Sequence, residues 1–270
     1  MVRPDHDWKA VFTDIDGTLL DSSRDVTTAT REMLGHCVRE GVRVVLSSSR
    51  SPQGIEPIAS MLGFDCSVIA FGGALILDED RTMLYERGMG RREAAEVVGF
   101  VESELGDVTW NVFTADRWIV RSREDPRVVR EEGIVRTLSQ EGSVHDVADD
   151  EPVDKVLCMC PQGRAGEVAG ILGERFPRLS ITRSSDILVE MNAAGVSKAT
   201  ALRVYCEAVG LPVDHTIAFG DSYNDLEKLE AAGMGVAMGN APDDIRAVAD
   251  LVTEDNDHDG IAHALRTLMA

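Results

Sequence analysis

Asp14 and Asp16 flank a single residue in the segment DIDGT, and Asp221 and Asp225 stand four apart in GDSYND. Four carboxylates brought together repel strongly, and a hard divalent cation with oxygen ligands relieves that repulsion, magnesium being the first expectation. Either pair alone has an ordinary explanation. A lone aspartate in a strand-ending turn usually braces the turn, and aspartates entering a helix usually cap its first amides. The shared setting separates these pairs from simple caps. Each follows a short β-rich apolar run, AVFTDI at residues 10–15 and TIAF at residues 216–219, in a chain whose strands and helices alternate. Alternation along the first strand sends Asp14 and Asp16 to one side. Ligands of open α/β sheets bind beyond the carboxyl ends of strands, so the carboxylates are placed to act on a small ligand.

The elements that carry them follow one rhythm. A strand over residues 10–15 breaks at Asp16-Gly17-Thr18, and a helix follows from Thr28 to Glu40, stopped by Gly41. A second apolar run, Val42 to Leu46, enters the polar loop Ser47-Ser48-Ser49, then a helix around Gly54 to Leu62 and a third strand from Ser67 to Phe71. Strand and helix alternating in this way predict right-handed βαβ units and a parallel sheet covered on both faces. Between about Thr82 and Glu190 the texture changes to charged helices, such as Arg91 to Leu105, and alternating strands, such as Lys155 to Cys160. The acidic run Asp146 to Asp154 within it reads as a solvated loop. The first rhythm returns with a helix over Ser197 to Val209, a strand over Thr216 to Phe219, the GDSYND loop, and a strand over Gly235 to Met238. The expected fold is α/β: a doubly wound, Rossmann-like parallel-sheet core of residues 1–82 and 191–270, with residues 83–190 inserted as an α+β cap.

Composition bounds the partners. The formal charge of −20 and pI near 4.6 exclude a surface that tracks nucleic acid or an anionic membrane, which leaves a small molecule. Five cysteines without a CxxC pair suit reduced, buried thiols. The amino-terminal segment has no apolar stretch of signal type, and no run reaches the roughly 20 apolar residues that span a bilayer, so a cytoplasmic location is expected. GMGVAMG at residues 233–239 has the wrong glycine spacing for a dinucleotide fingerprint, and no GxxxxGK[ST] occurs. The run EDNDHD, residues 254–259, lacks the twelve-residue pattern of a calcium loop and reads as a solvated lead into the last helix.

DIDGTLLD, Ser48 in LSSSR, Lys198 in GVSK, and GDSYND occur in the order of the four motifs of the haloacid dehalogenase-like hydrolases, and the chain resembles that family. The late lysine, the insertion after the second motif, and the closing GVAMGNA and DGIAHAL are similar to its Cof-type phosphatases with a C2-type cap. The resemblance covers roughly residues 8–80 and 185–268, and it implies a magnesium-dependent phosphatase acting on a small phosphorylated metabolite. It implies that Asp14 is the nucleophile and that Asp16 is the general acid and base. Ser48, Ser49, Lys198 and Asn224 are implied at the phosphate. Asp14, Asp16 through its carbonyl, Asp221 and Asp225 are implied at the metal, with Asn224 and Asp225 ligating or orienting. Two positions depart from the family pattern: Ser49 replaces a glycine in the second motif, and Gly72 stands where relatives carry asparagine. A phosphomutase would use the same aspartates, and a weakly catalytic phosphometabolite-binding protein would need the same phosphate ligands. The motifs leave both alternatives open, along with the oligomeric state.

Overall fold

The computed structural model describes residues 7–270. The chain opens with β1 (Ala10–Thr13), α1 (Thr28–Arg39), β2 (Arg43–Ser47), α2 (Pro52–Leu62), β3 (Ser67–Ala70), β4 (Leu75–Leu77) and β5 (Met83–Glu86). A second run comprises α3 (Arg91–Glu104), β6 (Thr109–Phe113), β7 (Trp118–Val120), α4 (Pro126–Val135), β8 (Gln140–Glu141), β9 (Lys155–Met159), α5 (Ala165–Arg175), β10 (Ser180–Arg183) and β11 (Leu188–Asn192). The chain closes with α6 (Lys198–Ala208), β12 (Thr216–Gly220), α7 (Leu226–Ala231), β13 (Met234–Ala237), α8 (Asp243–Val248), β14 (Leu251–Val252) and α9 (Gly260–Leu268). These elements form two compact units. One comprises residues 7–49, 55–85 and 197–270; the other comprises residues 50–54 and 86–196.

The first unit is built on an eight-stranded sheet in the order β14-β13-β12-β1-β2-β3-β4-β5. All four residues of β1 are buried, which suits its apolar run and its central place between β12 and β2. The six strands from β14 to β3 are parallel. The all-parallel expectation fails at the edge, where β4 returns antiparallel to β3. The Phe71-Gly72-Gly73 turn, with φ of 51°, 68° and 118°, reverses the chain before a crossover helix can form. One face of the sheet packs against α6. Ala201, Leu202, Tyr205 and Cys206 meet Phe12, Val45, Ile69 and Ala218 in a buried cluster. The Tyr205 ring stands edge-on to Phe12 with centroids 5.5 Å apart, and its hydroxyl and Ser67 Oγ are hydrogen-bonded at 2.9 Å. The helix ends follow local rules: Thr27 and Ser197 cap α1 and α6 by accepting from the amides of Thr30 and Thr200.

The second unit holds a six-stranded sheet in the order β10-β11-β9-β6-β7-β8, antiparallel except where β7 meets β8. The register places Trp110, Val112, Val156, Cys158, Val189 and Met191 on one face, all buried. The opposite face carries Asn111, Lys155, Glu190 and Asn192, also buried although polar. Such groups must find partners. Asn111 donates to the Leu157 carbonyl at 3.2 Å and Asn192 to the Asp154 carbonyl at 2.7 Å. The Lys155 ammonium lies 3.9 Å from Glu190 and 4.8 Å from the centre of the Phe113 ring. All five cysteines are buried free thiols.

The acidic run was expected to be a solvated loop, and its last part is not. The first residue of the run, the exposed Asp146, closes a reciprocal cap with Ser143, whereas towards the end Val153 pairs with Met89 through bonds of 2.8 and 2.9 Å. Asp154 is fully buried at the entrance to β9, and neither of its carboxylate oxygens has a hydrogen-bond partner. A charge run does not reveal which of its members leads into a strand. Burial first, then repulsion from Glu86 and Glu151, push the Asp154 carboxyl up to about 8 from its ordinary 3.8. The folded state therefore holds this proton more tightly than the unfolded chain does, and its contribution to stability falls as pH rises through that interval. Asp154→Asn is expected to raise the melting temperature at pH 8 and to change it little at pH 4. Calorimetric melting at the two pH values checks this, and equal shifts at both would contradict it.

Candidate active site

β12, β1 and β2 are adjacent and parallel, so their carboxyl ends bring Asp221, Asp14 and Ser48 to one edge of the sheet. The Asp14 amide continues the ladder by donating to the Phe219 carbonyl at 3.1 Å. The chain then winds tightly, and the amides of Leu19 and Leu20 donate to the Ile15 carbonyl at 3.1 and 3.0 Å. Gly17 within this turn has φ of +80°, and a Cβ there would fall 2.5 Å from Asp221 Oδ2. Glycine is thus required both by the backbone angle and by the approach of the carboxylate. Thr18 Oγ1 donates to Asp221 Oδ1 at 2.6 Å, and Asn240 Nδ2 donates to the Gly17 carbonyl at 2.8 Å.

At the centre lies Lys198, the first residue of α6. Its side chain is almost wholly buried, and its Nζ donates to Asp14 Oδ1 at 2.6 Å, Asp225 Oδ1 at 2.8 Å and Asn224 Oδ1 at 3.3 Å. A buried ammonium at a helix N-terminus is opposed by desolvation and by the helix dipole. Burial drives the Lys198 pKa down, but the Asp14 and Asp225 carboxylates outweigh it, and the group is held above the usual lysine value. Asp225 is saturated with donors: two ammonium groups, Lys198 and Lys228, on Oδ1, and the Asp221 and Ser222 amides on Oδ2 at 3.2 and 3.3 Å. Against the upward push of burial, the two lysines pull Asp225 down to about 2.

Asp14 and Asp221 behave oppositely. Burial and the charge of Asp225 push Asp14 up to about 6 in spite of Lys198. Burial and the charge of Asp14 push Asp221 up to about 7 in spite of the Thr18 hydrogen bond. One oxygen from each of Asp14, Asp221 and Asp225 lies within 4.8 Å of the others. Carboxylates that resist ionising together, presented as an all-oxygen donor set, fit a hard divalent cation. Lys198 and Thr18 meet Asp14 and Asp221 on their Oδ1 atoms, so the Oδ2 atoms are the ones available to a cation.

The remaining expected residues take varied positions. Asp16 is exposed and stands outside the carboxylate trio, because the chain leaves the strand after Thr13 and turns before alternation can pair it with Asp14. Ser48 is buried, its amide donating to the Ile69 carbonyl and its carbonyl accepting from the Gly72 amide, both at 2.9 Å. Ser49 Oγ accepts from Asn224 Nδ2 at 3.4 Å. The serine that replaces glycine there is not among the left-handed positions; those fall on Phe71, Gly72 and Gly73 across the loop. Thr18, Asn240 and Lys228 were not among the site residues expected from the sequence. Thr18 directly follows the DIDG segment and was within reach of inspection, whereas Asn240 and Lys228 gain their partners only through folding.

A haloacid dehalogenase-like hydrolase family model matches residues 11–265. The chain belongs to that family. Phosphatase YwpJ of Bacillus subtilis is 30% identical over 286 residues, covering 97% of this chain and 100% of its own. The 5-amino-6-(5-phospho-D-ribitylamino)uracil phosphatase YcsE of the same organism is 28% identical over 264 residues, covering 98% and 97%. Among solved structures, a haloacid dehalogenase-like hydrolase from Bacteroides thetaiotaomicron superposes with a TM-score of 0.86 at 29% identity, covering 97% of this chain and 99% of that one. The fold is therefore that of the haloacid dehalogenase-like enzymes, and the chain is a Cof-type phosphatase within them. The match runs through the middle of the chain, where no motif was legible. No helix among the described residues is long and apolar enough to cross a membrane.

The Gly17 contact gives a direct test of how the turn serves the carboxylates. Gly17→Ala forces either Asp221 or the turn to move, and a loss of about 10–100-fold in divalent-cation affinity is expected, the range seen when a ligand's support is removed. Titration calorimetry with magnesium, together with a circular dichroism spectrum showing a retained fold, checks this. Unchanged affinity would show that the turn does not position Asp221.

Proposed function

We propose that this phosphatase is magnesium-dependent and hydrolyses small phosphorylated metabolites, sugar phosphates or similar monoesters, through an aspartyl phosphate on Asp14. The observation that carries the proposal is the Asp14 carboxylate at a strand end, beside Asp221 and touching the Lys198 ammonium at 2.6 Å. Asp14 and Asp221, with the Asp16 carbonyl, hold the cation; Asp225 orients the site from behind. When bound, magnesium polarises the phosphoryl oxygens and offsets the repulsion between an anionic nucleophile and an anionic ester.

Asp14 attacks phosphorus in line with the departing alkoxide, forming the O–P bond of the intermediate as the ester bond breaks. Asp16, exposed rather than buried, gives its proton to the leaving oxygen and later takes one from the water that attacks the aspartyl phosphate. Lys198 holds a fixed positive charge against the transferring group and costs no reorganisation when charge develops. Ser48, Ser49 and Asn224 bind the remaining phosphate oxygens. The net charge of −20 disfavours nucleic acid as a substrate, and the relative that acts on a phosphoribitylamino-uracil supports a small polyol or sugar phosphate.

The decisive experiment measures phosphate release from para-nitrophenyl phosphate and a panel of metabolite esters, with magnesium or with chelator, for wild type and Asp14→Asn. Release should require magnesium, and the mutant should lose at least about 10³-fold in turnover, as expected when a covalent nucleophile is removed. Mutant activity near wild type would remove Asp14 from the nucleophile role. An isomerised ester in place of free phosphate would assign a mutase.

A further inference from the structure

Lys228 has no part in the reaction described above, yet its side chain has no exposed surface at all. An uncompensated buried ammonium is strongly destabilising, so its contacts show what it is held for. Its Nζ lies 2.7 Å from Oδ1 of Asp225, the residue just before α7, and donates to the Phe219 carbonyl at 2.8 Å. Both acceptors are shared with the active site. Asp225 Oδ1 also receives Lys198, and the Phe219 carbonyl also receives the Asp14 amide. Lys228 therefore touches the partner of the phosphate-binding lysine and the backbone acceptor of the nucleophile, while making no contact with either residue's functional atoms.

Electrostatics decides what this sharing does. Three carboxylates, Asp14, Asp221 and Asp225, face two ammonium groups. Were Lys228 absent, Asp225 would have Lys198 as its sole cation, and in a buried setting that pair would tighten. Lys198 would then be drawn from Asp14 towards Asp225, leaving less positive charge for a transferring phosphoryl group and more negative charge for a metal ion to satisfy.

We propose that Lys228 is a positioning residue for phosphoryl transfer: by sharing Asp225 with Lys198, it keeps the Lys198 ammonium on the nucleophile and the phosphoryl oxygens. This rests on the reading of Asp14 as nucleophile, so the test carries a readout that does not need turnover. Lys228→Met keeps the stem and removes the charge. It should lower kcat by about 10–100-fold with little change in KM, the range for loss of a supporting contact. The same variant should bind magnesium more tightly than wild type in titration calorimetry without substrate, because a positive charge has left a site that holds a cation. A purely structural lesion would weaken both. Lys228→Arg should recover part of the lost kcat.

Wild-type kcat in Lys228→Met, or weaker magnesium binding, would overturn the proposal. The double variant Asp225→Asn with Lys228→Met removes the buried pair together and guards against a single variant that does not fold. Its kcat should match that of Asp225→Asn alone, since Lys228 acts through Asp225; a further large loss would overturn the proposal as well. Asp14→Asn, measured in parallel, separates failure of this inference from failure of the nucleophile assignment. If that variant keeps wild-type turnover, the nucleophile assignment falls, while the calorimetric comparison still decides the role of Lys228.

Discussion

The bridge made by the Lys198 ammonium between Asp14 and Asp225, at 2.6 and 2.8 Å, is the constraint on which the site depends. The three carboxylates of the trio come from two loops more than two hundred residues apart in sequence, and their mutual repulsion would otherwise drive those loops apart. The lysine reverses the sign of that interaction. It arrives from a third segment, at the start of α6, so sheet, loop and helix are tied by a single buried group. Exposed, such pairs would contribute little. Here burial makes their loss expensive, because each broken contact leaves an unpaired charge in a poorly polarisable surrounding.

Strand order supplies the geometry that this bridge requires. With β1 between β12 and β2, three loops carrying chemistry emerge side by side from one edge. The central strand has no exposed residue, so the position of Asp14 is set by ladders on both sides and not by a flexible loop. Close backbone approach finishes the job. Gly17 lets Asp221 come within reach of the first loop, and Gly220 lets the Asp225 side chain fold back over the end of β12, where a Cβ would sit 2.5 Å from it. These contacts leave no room for a side chain, which explains glycine at both positions in physical terms.

The two units handle buried polarity differently. In the first, charges are concentrated and mutually compensated around Lys198 and Lys228. In the second, polar side chains line one face of a largely antiparallel sheet, where Asn111 and Asn192 donate to backbone carbonyls and Lys155 lies beside Glu190. Asp154 is different, a carboxyl buried without a hydrogen-bond partner and kept protonated by its surroundings. A group of this kind reduces stability unless it is held neutral, and burial first, then repulsion from Glu86 and Glu151, disfavour its ionised form.

Much of the catalytic unit was legible in the chain itself. Apolar runs of strand length ending in small polar loops located β1, β2, β3 and β12, and aspartates at two of those ends marked the site, because hydrophobic periodicity and turn chemistry are local properties. Lys198 and Ser48 gained meaning only from their order among the other motifs. The antiparallel return of β4 was hidden, since it depends on three successive left-handed residues, one of them Phe71, which favours no such angle by type. The exposure of Asp16 was hidden too, because alternation ends where the strand ends. Lys228 looked like any charged helix residue, and Asp154 like one more member of an acidic run. Which charges become buried, and which opposite charges meet them, depends on contacts between segments distant in sequence, and that only the tertiary structure decided.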